Sequence, residues 1–199
     1  IKYKDPNKPI AIDTETTSLN PFKAELVGIG FCFGSSLKDI IYIPIGHSII
    51  DGNLRQEKEN SNQLGIEEVI SSLQLWFASS EHPKTLQNTK YDRLILLRHG
   101  IILNGVVMDT LLADYIYDAT SRHSLDEIAF REFGFRPNNY NDIVKKGEDF
   151  SKVEIKTASL YCGMDVYITR RLAILYIDRL HKRSPNLVRL LLEVEQPLE

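Results

Sequence analysis

A short apolar run, Pro9-Ile-Ala-Ile-Asp13, leads directly into two carboxylates within Asp13-Thr-Glu-Thr16. The run predicts a buried strand, and alternate residues of a strand point to the same side. Asp13 and Glu15 are therefore expected to face one spot where that strand ends. An apolar strand seldom ends in two carboxylates by accident, so this pair is the starting point for a candidate site.

Further strands are predicted on either side of a long polar segment. Leu26–Phe33 and Ile40–Pro44 follow the first strand at short spacing with tight turns between them, which predicts an antiparallel meander. Thr85–Gln87 and Ile101–Met108 predict two more extended segments. The intervening polar stretch, Asp51–Gln63, is interpreted as a surface loop.

Apolar residues that recur every three or four positions predict helices over much of the remaining chain. The expected helices cover 66–79, 89–99, 109–118, 124–133, about 153–183, and a last one from 187 to 194. Ser124, with Glu127 three residues later, predicts a capping box at one helix start. The expected apolar face of the long helix comprises Leu160, Met164, Ile168, Leu172, Leu175 and Leu180. Residues 135–150 are interpreted as a mobile loop, and the whole pattern predicts an α/β domain.

Composition excludes several classes of protein. The 199 residues, 43% hydrophobic and 26% charged, are typical of one soluble globular domain with its own core. The sequence contains no apolar run near the roughly 20 residues of a membrane helix. The missing initiator Met leads us to expect a fragment of a longer protein. Cys32 and Cys162 are far apart in no metal-like spacing, so we expect two buried or half-buried thiols in a reducing compartment.

The net charge of −3 argues against a protein that coats duplex DNA, but it is compatible with a nuclease whose carboxylates bind cations. Asp92 follows Asn88 by four residues, and Asp165 follows Tyr161 by four, so each pair shares a helix face. Taken singly, Asp92 and Asp165 would be interpreted as caps or surface charges. Together with Asp13 and Glu15 they are a natural ligand set for two Mg²⁺ or Mn²⁺ ions that clamp a phosphodiester.

Three segments carry a resemblance to a known family. Asp13-Thr-Glu-Thr16, Gln87-Asn-Thr-Lys-Tyr-Asp92 and Tyr161-Cys-Gly-Met-Asp165 resemble, in order and separation, the three exonuclease motifs of the DEDD proofreading superfamily. The likeness covers nearly the whole chain and is strongest to the 3′–5′ exonuclease domain of family A DNA polymerases, Tyr subclass. It implies a ribonuclease H-like (DnaQ-like) fold, a mixed central sheet flanked by helices. It also implies one domain over 1–199 whose end, at Glu195-Gln-Pro-Leu198, leads into an absent polymerase domain.

The resemblance also implies roles for particular residues. Asp13, Glu15, Asp92 and Asp165 would bind the two divalent ions, and Tyr161 would orient the attacking water with Glu15. The positions expected to contact the terminal nucleotides of DNA are Leu19, Gln87, Asn88, Tyr91 and Tyr140. Tyr140 stands where Phe is the more familiar residue, a change that preserves stacking. Leu19 could separate the last bases, which suits an enzyme that must accept any base.

The implied activity is hydrolysis of the terminal phosphodiester of single-stranded or frayed DNA, which releases 5′-mononucleotides and proofreads for a polymerase. The implied partners are a DNA 3′ end and a covalently attached polymerase domain, with a monomeric chain, no membrane, and a bacterial cytoplasmic or an organellar setting. Two alternatives stay open. One is an RNA-trimming exonuclease of the ribonuclease D type, distinguished by its tolerance of a terminal 2′-hydroxyl. The other is an inactive scaffold, which should bind no pair of ions.

The remaining polar candidates have simpler interpretations. His47 is expected to be a hydrogen-bonded structural histidine, and His123 a cap or a phosphate contact. Trp76 and Tyr176 lie on apolar stripes and are expected in the core.

Overall fold

The computed structural model describes residues 5–50, 57–59 and 63–198. Seven strands and seven α-helices occur within these ranges. The strands are β1 (Ile10–Thr16), β2 (Leu26–Cys32), β3 (Ile40–Pro44), β4 (Ser48–Ile50), β5 (Glu57–Glu59), β6 (Lys84–Leu86) and β7 (Val106–Asp109). The helices are α1 (Ile66–Ala78), α2 (Thr89–Arg98), α3 (Thr110–Tyr117), α4 (Leu125–Phe133), α5 (Tyr140–Ile143), α6 (Ile155–Arg183) and α7 (Pro185–Leu190).

The main sheet is mixed, with strand order β3-β2-β1-β6-β7. The predicted meander is confirmed, since β1, β2 and β3 pair antiparallel. β6 and β7 then add to β1 in parallel. β1 is therefore the central strand, and its alternate apolar side chains pack on opposite faces of the sheet.

Alternate residues of β1 pack against different helices. Ile10 and Ile12 join a core with residues of α1 and α2, including Phe77 and Ile95. Ala11 packs with Cys32 and with Val166 of α6 on the other face. Because α2 and α6 lie on opposite faces, side chains from both can meet only beyond the end of β1.

The long helix α6 lies close to the sheet because small residues face it. Ala158, Cys162 and Gly163 are completely buried or nearly so, whereas Leu160 is 68% exposed. The expected placement of Leu160 on the buried face is therefore wrong. The small residues form the face of α6 that packs on the sheet, and Leu160 lies outside that face. Small residues contribute little to a periodic apolar pattern, so the sequence did not reveal this face.

Three other expectations need correction. Glu57–Glu59, within the predicted loop 51–63, pairs with β4, while 51–56 and 60–62 lie outside the described residues. The predicted loop 135–150 contains the single helical turn of α5, which a capping box at Asn139 stabilises. Ser124 is the N-cap of α4 without a side-chain cap bond, and Glu127 pairs instead with Arg136 at 3.0 Å.

In the described part of the chain, none of the helices is both long enough and apolar enough to cross a bilayer.

Candidate active site

A cavity of about 610 Å³ opens where β1 and β6 end and α2 begins. The carboxyl ends of parallel strands meet at one edge of a sheet, which is a common place for a site in α/β folds. All ten candidate residues from the sequence line this cavity: Asp13, Glu15, Leu19, Gln87, Asn88, Tyr91, Asp92, Tyr140, Tyr161 and Asp165. The structure therefore brings together all ten residues of the predicted site.

Asp13 and Glu15 lie beneath α6 on the same side of β1, as the strand period predicts. Their partners across the β1–β2 ladder are Gly30 and Gly28. A Cβ at Gly30 would lie only 2.4 Å from Cys162 Sγ. The glycine is therefore what lets α6 approach, and the Cys162 thiol donates to Asp13 Oδ2 at 3.9 Å.

Asp92 reaches the same spot from the opposite face of the sheet. It is 2% exposed, and its Oδ1 accepts from Thr14 N at 3.0 Å and from Thr14 Oγ1 at 2.6 Å. These bonds fix α2 to the end of β1. Asp165 comes from α6, so the four acids belong to three elements on two faces of the sheet.

The pKa of each of the four acids is raised, and desolvation by burial is the largest cause for all four. Burial raises the pKa of Asp13 to about 7. The pKa of Glu15 lies well above its usual range because burial is reinforced by the charges of Asp13 and Asp165. Burial and the Asp13 charge likewise raise the pKa of Asp92 and of Asp165, and the Tyr161 hydrogen bond to Asp165 partly offsets this.

The acid cluster fits divalent cations. Glu15 is 7% exposed, and its Oε1 is buried with no hydrogen-bond partner among the described residues. An unpaired buried carboxylate oxygen beside three further carboxylates is costly unless a cation compensates it. Carboxylate oxygens are the donors that Mg²⁺ and Mn²⁺ prefer.

A buried aspartate shapes the turn from β6 into α2. Asp109 accepts from Thr89 N at 2.7 Å and from Asn88 N at 3.3 Å, and it also caps α3. Asn88 has φ 65°, in the left-handed region that Asn tolerates better than most residues. The side-chain oxygen of Gln87 accepts a hydrogen bond from Thr110 Oγ1, and its side-chain nitrogen donates one to the main-chain oxygen of His123. Gln87 and Asn88 are therefore presented to the cavity by a rigid turn.

Tyr91 supports the loop that carries Leu19. Its hydroxyl donates to Ser18 O at 2.5 Å and also contacts Thr16 Oγ1. Leu19 itself is 93% exposed at the edge of the cavity. A large apolar side chain held in water by a supported turn is available to contact an apolar surface such as a base.

Two tyrosines of the cavity wall share one buried neighbour. The ring of Phe150 is stacked on Tyr140 with 6.3 Å between centroids, and it lies 5.9 Å from the ring of Tyr161. His47 packs on the same phenylalanine at 6.1 Å. Burial and the neighbouring charges of Asp165 and Glu15 raise the pKa of Tyr161, so its hydroxyl stays protonated at neutral pH.

The other polar expectations have clear outcomes. His47 is structural, since its ring nitrogens bond Tyr42 Oη at 2.6 Å and Val153 O at 2.9 Å. The His123 ring pairs with buried Asp114 at 2.6 Å. Trp76 packs against the core and Tyr176 is fully buried.

Sequence reasoning missed the supporting residues of the site, above all Asp109, Gly30 and Phe150. Asp109 is the first residue of the helix predicted over 109–118, and Asp is a preferred N-cap residue, so an N-cap signal could have identified it. Gly30 and Phe150 act through contacts that are remote in sequence, and no local pattern reveals those contacts.

Comparisons with known proteins agree on one family. A family model described as 3′–5′ exonuclease matches residues 2–175. DNA polymerase I of a Synechocystis strain is 37% identical over 203 residues, which cover 100% of this chain and 19% of that protein. DNA polymerase I of Pseudomonas aeruginosa is 31% identical over 95% of this chain and 20% of its own length. The chain thus spans about a fifth of these relatives.

Solved structures share the fold at low identity. The Pol1 POL-domain structure from M. smegmatis superposes with TM-score 0.66 at 19% identity, over 95% of this chain and 26% of that one. Brucella melitensis NrnC gives 0.65 at 20% identity, over 91% and 78%. Escherichia coli RNase D gives 0.62 at 13% identity, over 91% and 42%. The expected ribonuclease H-like mixed sheet is confirmed.

Proposed function

The chain belongs to the 3′–5′ exonuclease family of DNA polymerase I, and we propose that it hydrolyses the terminal phosphodiester of a single-stranded or frayed DNA 3′ end, releasing 5′-mononucleotides. The observation that carries the proposal is the convergence of four acids from three elements, with a buried Glu15 oxygen left unpartnered. Divalent cations that neutralise such a cluster can also stabilise the charge that develops during phosphodiester cleavage.

We assign the four acids as the ligands of two Mg²⁺ or Mn²⁺ ions. Asp13 and Glu15 of β1, Asp92 of α2 and Asp165 of α6 would together hold the two ions. When bound, the two ions supply Lewis-acid stabilisation of the charge that develops on the phosphate oxygens. The protein's own part is to hold the acids in place, through the Thr14–Asp92 bonds and the close Gly30–α6 contact.

Tyr161 positions the attacking water together with Glu15. Its hydroxyl is neutral, half-buried and beside Asp165, so it can hold a water by hydrogen bonding without taking part in proton transfer. Tyr161→Phe should lower kcat by about tenfold or more while changing the affinity for DNA little. Equal losses in kcat and affinity would contradict the positioning role.

The remaining cavity residues hold the 3′-terminal nucleotides. Tyr140 offers a ring 41% exposed for stacking, and Leu19 offers an apolar wedge at the edge. Gln87 and Asn88 bring polar groups on their rigid turn. Stacking and apolar contact do not depend on base identity, which suits proofreading for an attached polymerase domain.

The direct test is a single-stranded oligonucleotide labelled at its 5′ end and incubated with Mg²⁺ or Mn²⁺. A ladder shortening from the 3′ end is expected, and both EDTA and Asp165→Ala should abolish it. Asp178→Ala is the matched control, because Asp178 lies on the same helix, is solvent-exposed, and pairs only with Lys182 among the described residues. An intact band in every lane, with no Mn²⁺ bound by calorimetry, would refute the proposal.

The same assay addresses the ribonuclease alternative. An oligonucleotide ending in a single ribonucleotide differs from the DNA substrate only by the terminal 2′-hydroxyl. The proposed DNA enzyme should degrade the all-DNA strand at least as fast as the ribonucleotide-terminated one and faster than an all-RNA strand. Preference for the all-RNA strand would assign a ribonuclease function instead.

A further inference from the structure

A sulfur atom lies beside the oxygen ligands of the acid cluster. Cys162 offers a sulfur, and this sulfur and one carboxylate oxygen each from Asp13 and Glu15 lie within 4.8 Å of one another. Cys162 is fully buried, and its Sγ is 3.9 Å from Asp13 Oδ2. The thiol thus lies buried directly beside two of the acids that line the cavity.

The distances are close to those of a tetrahedral metal site. With Zn–S near 2.3 Å and Zn–O near 2.1 Å, tetrahedral ligand atoms stand about 3.6 Å apart. The 3.9 Å from Cys162 Sγ to Asp13 Oδ2 is already near that value, and the 4.8 Å limit requires a movement of about 1 Å. Glu15 Oε1 has no hydrogen bond to break among the described residues, so a movement of this carboxylate toward a cation costs no bond at that oxygen.

The buried carboxylate of Glu15 also indicates that a cation belongs at this spot. Glu15 is 7% exposed and its Oε1 is unpartnered, so a cation that binds it relieves a cost that the apo protein carries. Thiolate sulfur is a soft ligand that favours Zn²⁺ and Cd²⁺ over Mg²⁺ and Mn²⁺. The other thiol, Cys32, bonds Gly34 O at 3.2 Å and lies apart from this carboxylate–sulfur cluster.

We infer that Cys162, Asp13 and Glu15 form a site for one thiophilic divalent cation, Cd²⁺ or Zn²⁺, that excludes the catalytic pair and inhibits hydrolysis. On binding, a sulfur–metal bond forms and the thiol proton leaves to the buffer. The inference rests on the proposed function only for its inhibitory consequence, because the cation site itself needs no nuclease activity.

The test is a Cd²⁺ titration of the intact chain in the absence of DNA, followed by the sulfur-to-cadmium charge-transfer absorption in the ultraviolet. Wild type should show the band, saturating near one Cd²⁺ per chain. Cys162→Ser should lose it and bind Cd²⁺ at least about tenfold more weakly. Cys32→Ser, the matched control with the second buried thiol removed, should retain it.

A band that persists in Cys162→Ser, or that disappears in Cys32→Ser, would overturn the inference, as would the absence of a band in wild type. Circular dichroism of each variant checks folding, and Cys162→Ala serves if the serine variant does not fold. In the Mg²⁺ ladder assay, Cd²⁺ should inhibit wild type at lower concentration than Cys162→Ser. Absence of any ladder would instead count against the proposed function, while the absorption band would still decide the cation site.

Discussion

Replacing Gly30 with alanine tests whether the contact of α6 with the sheet sets the geometry of the acids. The added Cβ would lie 2.4 Å from Cys162 Sγ and 3.1 Å from Val166 Cγ1, where ordinary contacts are 3.4–4 Å. The sulfur must therefore retreat by about 1 Å, and the surrounding backbone of α6 must move with it. Overpacking of this kind costs about 1–3 kcal/mol, which corresponds to a loss of about 2–12 °C in Tm for a domain of this size.

The loss of activity should exceed the loss of stability. Tyr161 and Asp165 flank Cys162 on α6, so a displacement of the helix moves them away from Asp13 on β1. A misplacement of about 1 Å can slow catalysis by about a hundredfold. We expect Gly30→Ala to remain folded at 25 °C and to hydrolyse the labelled oligonucleotide at least tenfold more slowly.

Two companion variants isolate the cause. Cys162→Ala removes the clashing sulfur, so Gly30→Ala/Cys162→Ala should recover part of the Tm and of the rate, with a coupling energy of about 0.5–3 kcal/mol. Gly65→Ala is the control, because its Cβ would meet nothing within 4 Å. The reasoning is refuted if Gly30→Ala melts and hydrolyses like wild type, or if the double variant is no better than Gly30→Ala alone.

Three further outcomes are expected. Asp165→Ala should melt in EDTA at the wild-type temperature or above, because it removes a carboxylate whose pKa is raised by burial and by Asp13; a large drop in Tm would contradict this. Burial lowers the pKa of Lys84 to about 8, from 10.5 in the unfolded chain, so a protonated Lys84 destabilises the folded protein below pH 8. The free energy of unfolding should therefore increase as the pH rises from 8 toward 10.5. Urea unfolding should show this increase in wild type and not in Lys84→Met. Phe150→Leu should impair both Tyr140 and Tyr161, because the Phe150 ring supports the rings of both. The fluorescence of a 3′-terminal 2-aminopurine, measured in EDTA, should be quenched less by stacking on Tyr140, and hydrolysis with Mg²⁺ should be slower. Quenching equal to that of wild type would show that Tyr140 does not need this support.

The sequence predicted the framework of the fold closely, because local patterns determine it. The strand 40–44 has the predicted bounds, and the helix predicted over 66–79 ends one residue earlier. Tyr161 and Asp165 share a face of α6 that lines the cavity, as their spacing predicts. The shared helix face predicted for Asn88 and Asp92 is wrong, because Asn88 precedes α2 in a left-handed conformation and reaches the cavity from the turn. These features follow from strand and helix periods, which a single sequence displays directly.

The sequence predictions are wrong where contacts between segments distant in sequence determine the local structure. Leu160 fits an apolar stripe, but α6 buries its small residues because Gly30 leaves room for Cys162. Glu57–Glu59 has a loop-like composition and becomes a strand because β4 pairs with it. Glu127 forms an ion pair with Arg136 and not the capping-box contact at the start of α4 that its spacing from Ser124 predicted.

The acids of the site come from distant parts of the chain. The Thr14–Asp92 bond spans 78 residues, and the contact between Cys162 and Asp13 spans 149. During synthesis Asp13 leaves the ribosome first, and α6 emerges last of the three elements. A nascent chain therefore lacks a complete set of ligands until almost all of this sequence has been made. The order of the elements along the chain thus delays assembly of the proposed exonuclease centre until the fold that confines it exists.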